Sequence, residues 1–295
     1  MDLYTHFITA TVLREKNDSF NELLLKKGLD YNFIRYVSCA ADVDNIWRFF
    51  KPDYKPNHFG NFHTRTFDEL TDFSLGVALH GEKITIKNIE FRGIDYYTHK
   101  KNGYIDLLRN DVKKILEKYE LDDLVEFDHG IIEFVTGHYL LEKYDAYEEE
   151  FRKTMLSKEY TEKFINNIDP IFKPLGKIVK HIAVPLLKSY IKHYENLDDI
   201  CYSTYVLGKK QWVKFFKKDK AIKSKIELAL DEIQPMLYEK VNKDNLIYKN
   251  LFNDVINFDY TLFLQEQSNE EKQSKLILPN STEKERKLPN FSYYL

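Results

Sequence analysis

The stretch "DHGIIEFVTGH", residues Asp128 to His138, sets a histidine and a glutamate four positions apart inside an otherwise apolar run. Four residues are slightly more than one helical turn, so His129 and Glu133 share a face, while Ile132 and Val135 supply packing surface. The pattern predicts a buried helix whose inner face carries a metal-binding pair. His138 follows His129 by nine positions. At ~100° per residue it lies about half a turn away, so one straight helix cannot aim both rings at one point. Taken alone, a His-x-x-x-Glu pair is equally the signature of a hydrogen-bonded pair in a core or a solvated contact on a surface.

Working outward, apolar residues recur at three- and four-residue steps through most of the chain, as in Ile105, Leu108, Val112, Ile115 and Tyr119, and again in Ile178, Ile182, Leu186 and Ile191. This period belongs to helices that bury one face, and it predicts an all-α, multi-helix bundle. The exception is "KITIKNIE", residues 83–90, where alternating Ile84 and Ile86, followed by Ile89, suit a short strand or hairpin. Pro52 and Pro56 make residues 51–63 an irregular loop that delivers His58 and His63. We read residues 1–266 as one helical domain, with a metal-site half at 1–145 and a helical extension at 146–266. Residues 267–295 form a polar tail without periodicity.

The 295 residues carry 43% hydrophobic and 31% charged side chains, enough to bury a substantial core without staples. A net charge of -3 argues against a protein that grips nucleic acid through bulk positive charge. Two cysteines, Cys39 and Cys201, are too few and too widely spaced for a disulfide framework or a paired zinc knuckle. The start "MDLYTHFITATVL" lacks the basic and apolar regions of a secretory signal, and no run reaches membrane-spanning length. These features lead us to expect an intact N-terminus and a cytoplasmic location.

Seven of the nine histidines, His6, His58, His63, His80, His99, His129 and His138, fall in the first half of the chain, among Asp42, Asp44, Asp95 and Glu133. Imidazole nitrogen and carboxylate oxygen together suit zinc and similar divalent ions. Asp95 and His99 repeat the helical four-residue spacing. His80, closing the apolar "DFSLGVALH", and His6, within the apolar "THFITATVL", are each also readable as satisfied core histidines. Asp42 and Asp44, in "CAADVDN", point about 200° apart on a helix, so only one of them faces inward.

Taken in order, "THFITATVL", "AADVDN", "NFHTRTF", "LGVALH", "DYYTH" and "HGIIE" resemble the zinc-dependent phospholipase C and single-strand nuclease superfamily over about residues 1–145. The resemblance implies an all-helical fold and a cluster of two or three zinc ions that activates water to hydrolyse phosphodiesters. It implies His6, Asp44 or Asp42, His63 or His58, His80, Asp95, His99, His129 and Glu133 as ligands, with Asp95 bridging two ions. Asp44 or Asp42 would also act as general base if it keeps a free oxygen toward the cluster. The chain departs from the family in two ways. Members of that family use the amine of a mature N-terminal Trp as a ligand, whereas this chain starts with Met. They also carry His-x-x-x-Asp-x-x-x-His on one helix, whereas fifteen positions separate His80 from Asp95 here. The strand-like insert either loops out of the helix or costs the site a ligand.

Trp47 and Arg48, in "WRFFKPDYK", are candidate substrate contacts that would stack a base, touch a lipid headgroup, or only pack the loop. "KKQWVKFFKK", residues 209–218, reads either as an ordinary helix with solvated lysines or as a peripheral membrane or nucleic-acid contact. The substrate expected from the resemblance is a phospholipid headgroup, a nucleotide or single-stranded nucleic acid. The competing expectation is a catalytically degenerate metal-binding or interaction protein on the same scaffold.

Overall fold

The computed structural model describes residues 3–41, 62–122, 128–168, 220–243 and 253–265, with isolated positions at 185, 188, 191, 196 and 201. Asp42, Asp44, Trp47, Arg48 and His58 lie outside the described residues, as do the 209–218 run, most of the 178–191 stripe and the 267–295 tail. The described residues are mostly helical, with one small sheet, as the periodicity predicts.

The core is built on helices with no solvent face. In α1 (Leu3–Lys16) every residue from Leu3 to Leu13 is buried, and in α4 (Asp72–His80) every residue from Phe73 to His80 is buried. Between them runs α3 (Tyr31–Ala40), also buried along nearly its whole length. A helix that is apolar all round must be surrounded by other elements, so α1, α3 and α4, together with α7 (Asp128–Lys143), which is buried along most of its length, form the centre and the amphipathic helices form the shell. The shell includes α6 (Tyr104–Lys118), α8 (Glu148–Met155), α9 (Lys158–Ile168) and α10 (Lys220–Lys243). On α6 the predicted stripe packs inward, with Ile105, Leu108 and Val112 buried and Ile115 and Tyr119 packed against that core.

Local chemistry sets the helix boundaries. Asn17 caps α2 (Asp18–Lys27) by accepting from the Phe20 amide at 2.6 Å, and Gly28 ends it at φ 61°, a left-handed conformation that glycine adopts without a Cβ penalty. Thr71 and Ser74 form a reciprocal capping box at the start of α4. Lys163 on α9 donates to Asp72 at 2.7 Å, tying that end of α4 to the shell.

The β excursion is larger than "KITIKNIE" suggests. β2 (Lys83–Ile86) and β3 (Ile89–Phe91) form the expected hairpin, turning on Lys87 and Asn88 at φ 48° and 65°. A third strand, β1 (Thr64–Phe67), pairs parallel to β2. Parallel neighbours need a crossover, and α4 supplies it.

Asn17 also carries a long-range role. Its side-chain amide donates to the Phe258 carbonyl at 2.9 Å and to that of Ile256, holding the segment that leads into the 3-10 turn Tyr260–Leu264 against α2. Replacing Asn17 with Ala removes the cap and both long-range bonds, and should cost about 1–2 kcal/mol in urea unfolding. An unchanged midpoint would contradict this role.

Candidate metal centre

Three histidines from three different segments converge on one buried carboxylate. Asp95 lies in the first turn of α5 (Ile94–His99) and is 5% exposed. Its Oδ2 stands 2.8 Å from His63 Nδ1 and 3.3 Å from His80 Nε2, and its Oδ1 stands 3.6 Å from His6 Nε2. The His6 and His80 rings are 4.6 Å apart, and those of His63 and His80 are 5.2 Å apart. His6, His80 and Asp95 each offer one ligand atom such that all three atoms lie within 4.8 Å of one another. This buried group could hold a metal ion.

The sheet assembles three of these side chains. Parallel register sets Thr64 opposite Lys83, and the His63 carbonyl accepts from the amides of Glu82 and Lys83 at 2.9 and 2.8 Å. His63, at the head of β1, is thereby fixed beside His80, which ends the helix leading into β2. The antiparallel return through β3 then brings the chain back to Asp95. β2 and β3 separate α4 from α5, and His80 is nonetheless in contact with Asp95.

Hydrogen bonding fixes the orientation of His80. Its Nδ1 is 3.1 Å from the Ser38 carbonyl on α3, and a carbonyl only accepts, so Nδ1 carries the proton. In the neutral ring the lone pair is then on Nε2, the atom facing Asp95 Oδ2. Two acceptors in contact need a proton or a cation between them. An imidazole held by a backbone carbonyl through one nitrogen and aimed by the other is the usual outer support of a metal-binding histidine. His6 differs in this respect: its Nε2 faces Asp95 Oδ1, while its buried Nδ1 has no hydrogen-bond partner among the described residues.

Burial, followed by the neighbouring His80, pushes His6 down to about 3, against the opposing carboxylates of Asp95 and Glu133. His6 is therefore a neutral imidazole at neutral pH, the form that ligates metals. Burial drives the Asp95 carboxyl upward, but His80, His63 and His6 outweigh it and hold the carboxyl well below its usual range. The centre thus pairs an ionised carboxylate with at least one neutral ring.

On α7, His129 Nε2 and Glu133 Oε1 are 2.9 Å apart, as the four-residue spacing predicts, and Ile132 and Val135 are fully buried. The helix packs against α1, and the Glu133 charge acts on His6, so this second pair borders the cluster around Asp95. Arg109 on α6 holds Asp128 at 2.9 Å and fixes the first turn of α7. Burial still raises the Asp128 carboxyl, with Arg109 opposing it. His99 closes α5 four residues after Asp95.

Sequence reasoning missed two contributors. The Ser38 carbonyl orients His80, but a backbone acceptor has no residue-type signature. β1 sits in "HTRTF", too short to announce itself, and its partner lies 19 residues away.

No protein-family model, curated protein or solved structure matches this chain. Among the described residues, no helix is long and apolar enough to cross a membrane.

The two shifted groups set an acid response. His6 binds its proton near 6.5 when unfolded and near 3 when folded, so the unfolded chain gains a proton as pH falls below about 6.5. Asp95 acts in the same direction: its contribution is complete above 3.8 and is lost as pH falls through its lower folded value. Urea unfolding of metal-free protein should show stability falling from about pH 6.5 downward, by up to about 1.4 kcal/mol per pH unit for the His6 proton. His6→Gln should flatten that slope between pH 6 and 4. A slope unaffected by this change would refute the assignment.

Proposed function

We propose that the chain is a metal-dependent phosphodiester hydrolase whose centre is held by His6, His63, His80, Asp95, His129 and Glu133. The observation that carries the reading is the convergence of His6, His80 and Asp95 ligand atoms within 4.8 Å in a buried site. The donor set fits zinc, which takes imidazole nitrogen and carboxylate oxygen in small, closely spaced groups. The resemblance of residues 1–145 to the zinc-dependent phospholipase C and nuclease superfamily supplies the reaction class and the expectation of two or three ions.

When bound, such ions polarise a phosphoryl oxygen, lower the pKa of water toward about 7 and stabilise a leaving oxygen. The remaining work falls to the protein. Asp95 offers two oxygens that face different imidazoles, His6 on one side and His63 with His80 on the other, so one carboxylate serves two sets of donors. His80 is held in its ligating tautomer by Ser38, and His6 is held neutral by burial. The His129–Glu133 pair offers a further nitrogen and oxygen from α7. Asp44 or Asp42 remains the proposed general base, and Trp47 and Arg48 the proposed substrate contacts, all outside the described residues. A phospholipid headgroup, a nucleotide and single-stranded nucleic acid are the substrates to compare.

Elemental analysis of purified protein should find two or three zinc equivalents per chain. Hydrolysis of bis(p-nitrophenyl) phosphate should fall at least about a hundredfold in Asp95→Asn and in the paired change His129→Ala with Glu133→Ala, with loss of bound zinc. Full activity in a metal-free preparation would sink the reading. Stoichiometric zinc without turnover of any phosphoester in the panel would favour the metal-binding protein without catalysis.

A further inference from the structure

Gly81 and Gly93 occupy the point where the helix carrying His80 and the helix carrying Asp95 meet the head of the sheet. The Gly93 amide donates to the Gly81 carbonyl at 2.9 Å, and the Gly81 amide donates to the Val77 carbonyl at 2.9 Å, closing α4. A Cβ on Gly93 would stand 2.2 Å from the Ala78 carbonyl oxygen and 2.6 Å from those of Leu79 and Gly81. A Cβ on Gly81 would stand 2.7 Å from the Phe62 carbonyl oxygen and 2.8 Å from Ile84 Cγ1. Four of these five obstacles to a Cβ on Gly93 or Gly81 are backbone carbonyl oxygens, which cannot swing aside as a flexible side chain can. Both glycines have negative φ, near −73° and −89°, so the constraint is the close approach itself.

The consequence reaches the candidate centre through two short tethers. His80 precedes Gly81 directly, and Asp95 follows Gly93 by two residues. The Phe62 carbonyl that crowds Gly81 belongs to the residue before His63. Any Cβ in this junction must part α4 from the start of α5, or the lead-in to β1 from α4. Those separations lengthen the 3.3 Å and 2.8 Å contacts of Asp95 with His80 and His63.

We propose that Gly81 and Gly93 are positioning residues of the candidate metal centre, a two-glycine clasp that returns Asp95 to His80 and His63 after the hairpin excursion. The proposal rests on the metal-centre reading above for its functional meaning, and on the junction geometry for its structural content. The glycines touch no ligand atom; they act through the backbone that carries the ligands.

Cobalt(II) titration of the full chain, followed by its visible absorption, tests this against two controls. Gly93→Ala should weaken cobalt affinity at least tenfold and alter the absorption band. Asn88→Gly at the hairpin tip should leave both unchanged, as should Asn17→Ala, which destabilises a different helix. A Gly93→Ala protein that folds and binds cobalt like the parent overturns the proposal. If Gly93→Ala does not fold, the parent chain decides: slow exchange of the Gly93 amide with an NOE between the His80 ring and the Asp95 β protons supports the clasp, and their absence overturns it. If the parent shows that NOE yet binds no cobalt, the metal reading fails while the clasp stands.

Discussion

An ionised carboxylate in a protein interior costs several kcal/mol unless charge and hydrogen bonding compensate it. Asp95 meets that requirement with His63, His80 and His6, drawn from a strand head, a helix end and the first helix. The arrangement constrains everything around it. α1 must run deep enough to present His6, α4 must end where His80 faces the carboxylate, and α3 must pass close enough for the Ser38 carbonyl to accept a hydrogen bond from His80 Nδ1. The three helices that satisfy these demands are buried along most of their length.

The small sheet is the device that makes the convergence work. Helix periodicity alone would bring His80 and Asp95 together only at a spacing of three or four residues. With fifteen positions between them, proximity depends on antiparallel pairing of Ile84 with Phe91 and Ile86 with Ile89, and on the close backbone approach at Gly81 and Gly93. Parallel pairing of β1 with β2 adds His63 to the same place. What reads in the sequence as an interruption between His80 and Asp95 is, in the fold, the scaffold that brings the two together.

The same packing explains the electrostatic character of the site. Burial favours neutral imidazole and disfavours carboxylate, yet Asp95 is held ionised chiefly by His80 and His63, while His6 is held neutral because burial and His80 outweigh the nearby carboxylates. A neutral nitrogen beside a charged oxygen is a donor set that could hold a divalent cation. The His129–Glu133 pair extends this donor set from α7 across the face of α1.

Much of this was legible in the sequence because it rests on local periodicity. The helical class, the "KITIKNIE" strand signal, the shared face of His129 and Glu133 and the buried roles of Ile132 and Val135 all follow from steps of two, three or four residues. The histidines and Asp95 could be nominated by type. Which of them meet could not be read, since His6, His63, His80 and Asp95 are joined by non-local strand register, by the Ser38 carbonyl and by glycine contacts that leave no periodic trace. The sequence by itself determined the helices and the chemistry available; the tertiary structure alone decided that three distant histidines share one carboxylate, because only packing brings together groups that local spacing holds apart.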